Sequence, residues 1–494
     1  MNSTLEKGNE SVTQKVGETE VTYNSAKTWE LLLWMVPTGF FWSFLLAFVS
    51  FYAIGVVGLG TVIVSTAITG TRILDGITDP IGGFIFDRTK GKYGKVRIFM
   101  ILGYAVMTAC LLTMFFTTHL MPEGLRFVYF IVIYIIYVIG NTFSSTAFQA
   151  GNAVLTNNPK QRSIQGILMM GYLSIIMTIV NFWLTNSLMA RHGGFGTAEV
   201  FQEMALTLIG FGVALTIFQL IAISRNDKIE NFQKGSSEKH SLKDMLSVIK
   251  GNRPLKIFVV ASVTDRLAMN IASHRVIDIM IFGIIIGNFA FAGISGVWLV
   301  VPQLVLLVAG MKLGRKLGTK KAYVTSIKIA LPLYVLMILF FWFVDPTQIP
   351  YTMIGGVGTI WFIIHLLSNT ARAWTNAFTS PLLPDIMDYE VYRSGKFKPG
   401  IIASINTFIE KFIASFYQTF VGLVLAAIGF AHAMPDLDTP LTPAIFWAAM
   451  FLMYGVMIIT WIISLIAMKF YDLDKERMEE IQIELKRRSE VAEA

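Results

Sequence analysis

Cysteine is almost absent from this sequence: of its 494 residues, only Cys110 carries a thiol. A single cysteine inside an apolar run excludes an intrachain disulfide framework and a cysteine-ligated metal cluster, and we interpret it as a small buried apolar residue. The six histidines are scattered without metal-ligand spacing, and no GxxxxGK[ST] loop for nucleotide phosphates occurs. Nothing in the sequence therefore supports an enzyme or an ATP-driven pump, and we expect no cofactor beyond a coupling ion.

Charged residues are also scarce. They make up 15% of the chain, whereas 54% of the residues are hydrophobic and the mean hydropathy is +0.61. An average soluble protein carries roughly 25% charged residues. One core of this length cannot hide so much apolar surface, so a bilayer must solvate it. The stretch before Trp29 is polar and lacks the apolar core of a cleavable signal, so we expect the first apolar segment to remain as a helix.

Twelve apolar runs are each long enough to cross a hydrocarbon layer, which takes about 20 helical residues. They lie near 31–55, 61–86, 98–118, 125–150, 164–190, 201–224, 254–285, 288–310, 322–344, 350–374, 399–430 and 442–468. A long polar segment separates the first six runs from the last six. The sequence therefore predicts an all-α membrane protein with twelve transmembrane helices in two six-helix bundles, 29–224 and 254–468.

Basic residues are concentrated in even-numbered connections between the runs. Arg225–Lys256 holds eight of them, and the odd-numbered connections add little beyond Arg126 and Arg191. The second and eighth connections hold five each: Arg88, Lys90, Lys92, Lys95 and Arg97, and Lys312, Arg315, Lys316, Lys320 and Lys321. Because cytoplasmic loops of membrane proteins are enriched in Lys and Arg, we expect the even connections and both termini in the cytoplasm of a cell-membrane protein. The net charge of +8 is then explained by basic loops that face anionic lipid, rather than by binding of nucleic acid.

This orientation divides the chain into five parts. A cytoplasmic tail covers 1–28, a cytoplasmic linker covers 225–253 between the bundles, and a second cytoplasmic tail covers 469–494. The second tail has the pattern of a charged amphipathic helix. A solvated or membrane-surface helix is favoured over a docking site for a partner.

The second apolar run carries two carboxylates. Asp75 and Asp79 are four residues apart and share one helix face, with Arg72 three residues before Asp75. A carboxylate at bilayer depth costs about 2.5–3.5 kcal/mol, so these charges must be neutralised. Oxygen ligands suit a hard cation such as sodium, while protons and Arg72 are alternatives. The alternative is that Asp79 only contacts loop bases, but it precedes Asp87 by about 12 Å of helix and is therefore expected inside the layer.

The stretch RILDGITDPIGGFIFDRTKGKYGK, which begins at Arg72, resembles the glycoside–pentoside–hexuronide:cation symporter family. Shorter matches follow in order along nearly the whole chain: NTF, NIAS, PDIMDYEVYRSG and SINTFIEK. The resemblance implies a major facilitator fold of two pseudo-symmetric bundles and cation-coupled sugar transport. It also implies that the coupling cation, sodium with H⁺ or Li⁺ as alternatives, is bound by Asp75 and Asp79 with help from Thr142, beside Thr78.

The same resemblance places Lys411 in a central substrate cavity. There it would contact substrate oxygens or balance the charge of the carboxylates of the second run. The alternative is that it pairs with Glu410 or snorkels to the membrane surface. Aromatic faces stack on sugar rings, and polar side chains bind sugar hydroxyls, although each such residue also fits ordinary helix packing. The remaining substrate candidates are Trp374, Asn376, Thr407, Gln149 and Arg72.

Three positions depart from the galactoside transporters of that family. Acids that hold sugar hydroxyls fall on Gly39 and Ser145 in an ungapped alignment, and an expected arginine falls near Met169–Met170. We therefore expect a ligand other than melibiose, and an anionic one such as a hexuronide or sulfonated sugar. The positive groups left without those acids are Lys411, Arg72 and Arg275.

Further charges are candidates for gates. Asp265 and Arg266 lie within the seventh run and would pair across the bundles or form a gate between them. Asp385, Asp388 and Glu390 precede Arg393, Lys396 and Lys398, a pattern typical of a cytoplasmic network. The bases of the second connection that would join this network are Arg88 and Lys95.

These features favour a symporter whose partners are a small-molecule sugar or glycoside, a monovalent cation and the bilayer. The sequence does not define its oligomeric state. Two other classes stay open. One is a cation-coupled carrier of lysophospholipid-like amphiphiles, because such carriers resemble the same family. The other is a sensor that does not transport, which a long soluble regulatory domain would favour.

Overall fold

The computed structural model describes residues 12–16, 19–23, 25–89, 94–156, 158–228, 251–350, 355–379, 381–395 and 399–493. Lys90, Lys92, Lys396, Lys398 and most of the predicted linker lie outside these ranges. So do the side chains of Asp75, Asp79, Arg315 and Thr407, whose backbone is helical. The chain divides into an N-terminal unit, Met1–Ser237 with Ala431–Met434, and a C-terminal unit, Glu238–Phe430 with Pro435–Ala494.

In the N-terminal unit, a hairpin precedes the helices: strand β1, Val12–Val16, pairs antiparallel with β2, Thr19–Tyr23. Alternating Val and Thr residues favour these strands, which the sequence analysis did not foresee in the polar tail. The α-helices are α1, Thr28–Trp34; α2, Gly39–Leu46; α3, Val49–Phe51; α4, Thr61–Arg88; α5, Val96–Thr117; α6, Glu123–Leu155; α7, Pro159–Trp183; α8, Met189–His192; and α9, Ala198–Ile223. Two π-helical turns, Tyr52–Val56 and Leu184–Leu188, and the 3₁₀ turn Thr118–Leu120 join them.

The described residues of the C-terminal unit form helices and their connecting turns and loops, without a strand. Its helices are α10, Arg253–Ala272; α11, Arg275–Asp278; α12, Ala290–Leu317; α13, Thr319–Phe343; α14, Gly356–Thr379; α15, Leu382–Ser394; α16, Pro399–Ser415; α17, Tyr417–Ala427; α18, Pro443–Met450; α19, Val456–Lys469; and α20, Lys475–Glu493. Two π-helical turns, Ile279–Ile285 and Phe451–Gly455, and the 3₁₀ turn Pro346–Gln348 complete it.

Small residues bring helices of the N-terminal unit together. The longest contact joins α5 to α6, where Gly103 faces Gly140: a Cβ on Gly103 would lie 2.8 Å from the Gly140 carbonyl oxygen. The hydrophobic effect does not bring helices together in lipid, because lipid tails are themselves apolar. Van der Waals contact between closely approaching backbones therefore contributes much of the association energy. The same principle brings α4 against α6 at Gly82, which positions the candidate cation site described below.

Among the described residues, nine helical stretches are long and apolar enough to cross a membrane. The bent pair Arg253–Ala272 and Arg275–Ile285, at 52°, makes a tenth. Two of the twelve predicted spans do not pass that test. In α4, where the side chains at 75–77, 79 and 80 are outside the described residues, the apolar stretch is Thr61–Leu74; α14 carries polar side chains such as His365 and Arg372. Their 28 and 24 residues nevertheless extend over about 42 and 36 Å. Both are long enough to span.

Candidate functional site

Two threonine hydroxyls meet between α4 and α6. Thr78 Oγ1 lies 3.2 Å from Thr142 Oγ1, and Thr142 is 1% exposed. Gly82, one turn beyond Thr78, allows this approach, because a Cβ there would lie 2.5 Å from Thr142 Cγ2. The structure thus brings together two of the four residues predicted to form the cation site.

Asp75 and Asp79 lie on the same helix, three residues before and one residue after Thr78. Their side chains are outside the described residues, so the structure does not place their carboxylates. Arg72 is half-buried on the preceding turn. Carboxylates and hydroxyls would together supply an all-oxygen ligand set, which is what a hard monovalent cation needs. In the described part of the chain, no group of three or more His, Cys, Asp or Glu residues could hold a metal ion.

Ser145 and Gly39, which depart from the galactoside transporters, contact neighbouring residues of the N-terminal unit. Ser145 Oγ donates a hydrogen bond to the carbonyl oxygen of Asn141 at 2.7 Å, so this hydroxyl is hydrogen-bonded within its own helix. Gly39 at the start of α2 faces Tyr104, whose hydroxyl oxygen would lie 3.5 Å from an added Cβ. Gln149, predicted to contact substrate, is exposed on α6.

The predicted substrate residues of the C-terminal unit lie on two helices, α14 and α16. Trp374 Nε1 donates to the carbonyl oxygen of Leu307 at 3.3 Å, and its indole packs against Gly310, so it joins α14 to α12. Asn376 is exposed. Lys411 is also exposed on α16 rather than buried as the sequence indicated, and Glu410 beside it turns to other partners.

Asp265 and Arg266 both have partners inside the C-terminal unit. The Tyr323 hydroxyl donates to Asp265 Oδ2 at 2.7 Å. Arg266 Nε lies 3.7 Å from Glu410 Oε2, and Asn406 donates to the other oxygen of Glu410 at 3.0 Å. These contacts link α10 to α13 and α16, so the two charges hold this unit together.

The predicted gating acids lie on α15. Thr319 Oγ1 donates to Asp385 at 2.5 Å, and Gln482 Nε2 of α20 donates to Asp388 at 2.7 Å. Burial, together with the negative charge of Asp388, raises the pKa of Asp385, although the Thr319 hydrogen bond acts in the opposite direction. The acids of α15 therefore connect α13 and the C-terminal helix within one unit.

Glu390 and the bases of the second connection have their own contacts. Glu390 is buried, pairs with Arg393 at 2.8 Å and accepts a hydrogen bond from Asn252 at 2.9 Å. Arg88 stacks over the Phe84 ring at 4.0 Å, and Lys95 lies over Phe86 at 5.8 Å.

Sequence reasoning missed two charged residues, Asp227 and Arg372. Asp227 follows α9, and its fully buried carboxylate accepts three backbone hydrogen bonds at the start of α5. Arg372 lies on α14, where its Nη2 donates to Asn369 Oδ1 at 3.0 Å. Asp227 gave no local signal because its partners are about 130 residues away in sequence. Arg372 could have been found, since a basic residue inside an apolar run is a functional candidate by itself.

A family model described as MFS/sugar transport protein matches residues 32–475 of this chain. The isoprimeverose transporter of Lactiplantibacillus pentosus is 23% identical over 434 residues, which cover 87% of this chain and 84% of that protein. The putative glycoside/cation symporter YagG of Escherichia coli K12 is 23% identical over 436 residues, or 85% and 88%.

A solved structure shares the fold. A bacterial homologue of the human lysosomal transporter Spinster aligns with a TM-score of 0.58 at 14% identity, covering 92% of this chain and 99% of that chain. At this identity the likeness concerns the fold alone. Together with the family match, it confirms the predicted all-α major facilitator architecture and the predicted symporter family.

Proposed function

We propose, from the premise that this chain belongs to the MFS/sugar transport protein family and its glycoside–pentoside–hexuronide symporters, that it imports a sugar, glycoside or hexuronide with a monovalent cation. Sodium is the cation that we favour. The relatives described as a glycoside/cation symporter and an isoprimeverose transporter support cation coupling and a sugar-like substrate. Transport would proceed by alternating access of a site to the two sides of the cell membrane.

The contact between Thr78 and Thr142 carries the cation half of this proposal. It puts a buried hydroxyl of α6 beside the segment of α4 that contains Asp75 and Asp79. Two carboxylates at bilayer depth repel each other unless a bound cation or proton compensates them. Cation binding would therefore stabilise one arrangement of α4 against α6, and a substrate that binds this arrangement more tightly is coupled to the ion gradient.

Transport in proteoliposomes tests the proposal. An inward sodium gradient should drive accumulation of a labelled sugar, whereas an equal potassium gradient should not. Asp79→Asn should abolish accumulation and leave membrane insertion intact, because removing a charge from an apolar layer favours insertion. Labelled lysophosphatidylcholine, assayed in parallel, addresses the amphiphile alternative. Full sodium-driven accumulation by Asp79→Asn would show that the cation site lies elsewhere.

Selectivity among sugars follows from Gly39 and Ser145. Without acids at these positions, the hydroxyls of a galactoside would lack acceptors, at about 1–3 kcal/mol for each buried group. Two such losses, about 2–6 kcal/mol together, weaken binding by roughly 30-fold to 20,000-fold. We expect a glucuronide to compete for uptake better than melibiose at equal concentration. Strong sodium-dependent melibiose uptake without glucuronide competition would contradict this assignment.

A further inference from the structure

Arg372 lies well inside a membrane-spanning helix of the C-terminal unit. It is sixteen residues after Gly356, the first residue of α14, and therefore about 24 Å along the helix. Its neighbours Thr370 and Ala371 are fully buried, and its own side chain is half-buried. The guanidinium therefore belongs to the interior of the spanning segment rather than to a loop.

Neutral side chains hold this guanidinium in place. Arg372 Nη2 donates to Asn369 Oδ1 at 3.0 Å, and Asn369 in turn donates to the carbonyl oxygen of His365 at 2.8 Å. Tyr334 on α13 is near enough to interact electrostatically with Arg372. Tyr334 is itself buried, with its ring edge-on to Tyr454 at 5.4 Å between centroids. The Arg372 guanidinium is thus oriented by its own helix turn, through Asn369, and this turn supplies no negative charge.

Among the described residues, no carboxylate forms an ion pair with Arg372. Asp278 is an acid that interacts electrostatically with Arg372. Asp278 pairs instead with Arg275, whose Nη1 lies 3.2 Å from Asp278 Oδ2. An arginine inside the membrane is costly, and a neutral side chain at the same place would avoid this cost, so an intramembrane arginine is a candidate functional residue.

We propose that Arg372 is a specificity-determining residue that binds the anionic group, carboxylate or sulfonate, of the transported sugar. A guanidinium has five N–H donors, and in Arg372 the Nη2 group donates to Asn369. The planar edge of a guanidinium can donate two parallel hydrogen bonds to a carboxylate or sulfonate. Lysine cannot reproduce this geometry. The inference rests on the proposed function and adds to it the chemical group that is recognised and the residue that recognises it.

Matched ligands and variants test the assignment with purified protein in a buffer that contains sodium. Methyl β-glucuronide and methyl β-glucoside differ only in a carboxylate against a hydroxymethyl group, and sulfoquinovose tests the sulfonate. Binding is measured by isothermal titration calorimetry for the wild-type protein, Arg372→Gln and Arg372→Lys. Lys328→Gln is the matched control, because Lys328 is an exposed cation on the neighbouring helix α13.

The wild-type protein should bind one of the two anionic sugars at least tenfold more tightly than the glucoside. Arg372→Gln should weaken that binding by roughly 10-fold to 100-fold, the loss expected for charge-assisted hydrogen bonds, and leave glucoside binding unchanged. Arg372→Lys should fall between, and Lys328→Gln should match the wild type. Anion binding that is unaffected in Arg372→Gln overturns the assignment, as does equal binding of glucuronide, sulfonate and glucoside. Binding of the glucoside alone overturns it and leaves the proposed function standing, whereas binding of no sugar overturns both.

Discussion

Asp227 and Arg97 are joined by two hydrogen bonds, although they are 130 residues apart in sequence. The backbone N–H of Arg97 donates to Asp227 Oδ2 at 2.9 Å, and its side-chain Nε donates to the same oxygen at 3.3 Å. The other oxygen accepts the backbone N–H groups of Lys95 and Val96. A carboxylate from the end of α9 thereby satisfies the orphan N–H groups that begin α5 and complements the positive end of its dipole. Gly94 lies directly against Asp227 with φ +87°, a conformation that favours glycine.

The first prediction is that Asp227→Asn destabilises the protein. The amide would turn an NH₂ toward N–H donors that need an acceptor, and each buried donor left unpaired costs about 1–3 kcal/mol. Cys110, the single and buried thiol, reports unfolding when a thiol-reactive fluorophore labels it during heating. Asp438→Asn, at an exposed position, is the control and should melt like the wild type. Equal midpoints for all three proteins would contradict the capping role.

A second prediction concerns the hydroxyl of Thr142. Thr142→Val keeps the side-chain shape but removes one of the two oxygens that meet beside Asp75 and Asp79. If this oxygen supports the cation, its loss should weaken sodium binding by about 5-fold to 150-fold, which corresponds to about 1–3 kcal/mol. Sodium-dependent thermal stabilisation measures this affinity. Thr142→Ser retains the hydroxyl and should behave as wild type; equal loss in both variants would point to packing against Gly82 instead.

Local hydropathy was sufficient to predict a helical membrane protein, because each apolar run depends on residues close in sequence. Thr78 and Thr142 were singled out by the resemblance to a known family, and their hydroxyls lie close together. The contacts that hold each unit together were not predictable in this way. Lys411 illustrates this limit: its position in SINTFIEK indicated burial, but its side chain is exposed on α16. The sequence likewise did not reveal that Asp265 accepts a hydrogen bond from the Tyr323 hydroxyl. Tertiary neighbours decide such cases.

The two units also share a relationship that sequence comparison conceals. In the N-terminal unit, Glu30 of the first helix pairs with Arg225 just after the last helix, at 2.7 Å. In the C-terminal unit, Arg253 at the start of its first helix lies 3.5 Å from Asp472, just after the last membrane helix. The ion pair recurs with its charges exchanged. An inverted pair preserves the electrostatic link but removes the residue identity by which an internal repeat would be recognised.

The third prediction is that the C-terminal helix α20 detaches when Ile481 becomes polar. Ile481 is fully buried, and the adjacent Gln482 donates to Asp388 of α15. Ile481→Ser removes about 1.5–3 kcal/mol of free energy from burial of the isoleucine side chain. The fraction of molecules in which α20 is detached therefore rises by roughly tenfold to a hundredfold. Trypsin should then cut faster at Lys486 and Arg487. Ile483→Ser is the matched control because Ile483 is 71% exposed, and faster cleavage in both variants would contradict docking through Ile481.

The fourth prediction is the orientation, which rests on loop charge alone. Ser236, in the predicted linker and outside the described residues, should lie in the cytoplasm. Ser236→Cys in intact cells should therefore resist an impermeant thiol reagent, while Asp438→Cys, in the connection between the last two predicted spans, should react. Native Cys110 is buried and adds little background. Rapid labelling at 236 with protection at 438 would invert the topology.

The last prediction is a pH dependence of stability caused by Asp385. Burial and the neighbouring charge of Asp388 raise its pKa above the ordinary value, which for aspartate is about 3.9. Between the ordinary and the raised pKa, the native state therefore binds more protons than the unfolded state. Its free energy of unfolding must then fall as pH rises through this window and stay flat above it.

Asp385→Asn removes the titration and keeps an oxygen to accept the hydrogen bond from Thr319. The variant should therefore gain stability relative to the wild type as pH rises from 4 toward 7, as measured by tryptophan fluorescence on heating in nonionic detergent. Asp438→Asn, which changes an exposed carboxylate, should show no such gain. Parallel melting curves for Asp385→Asn and wild type across this range would mean that Asp385 titrates alike in both states, and that its burial on α15 does not oppose its charge.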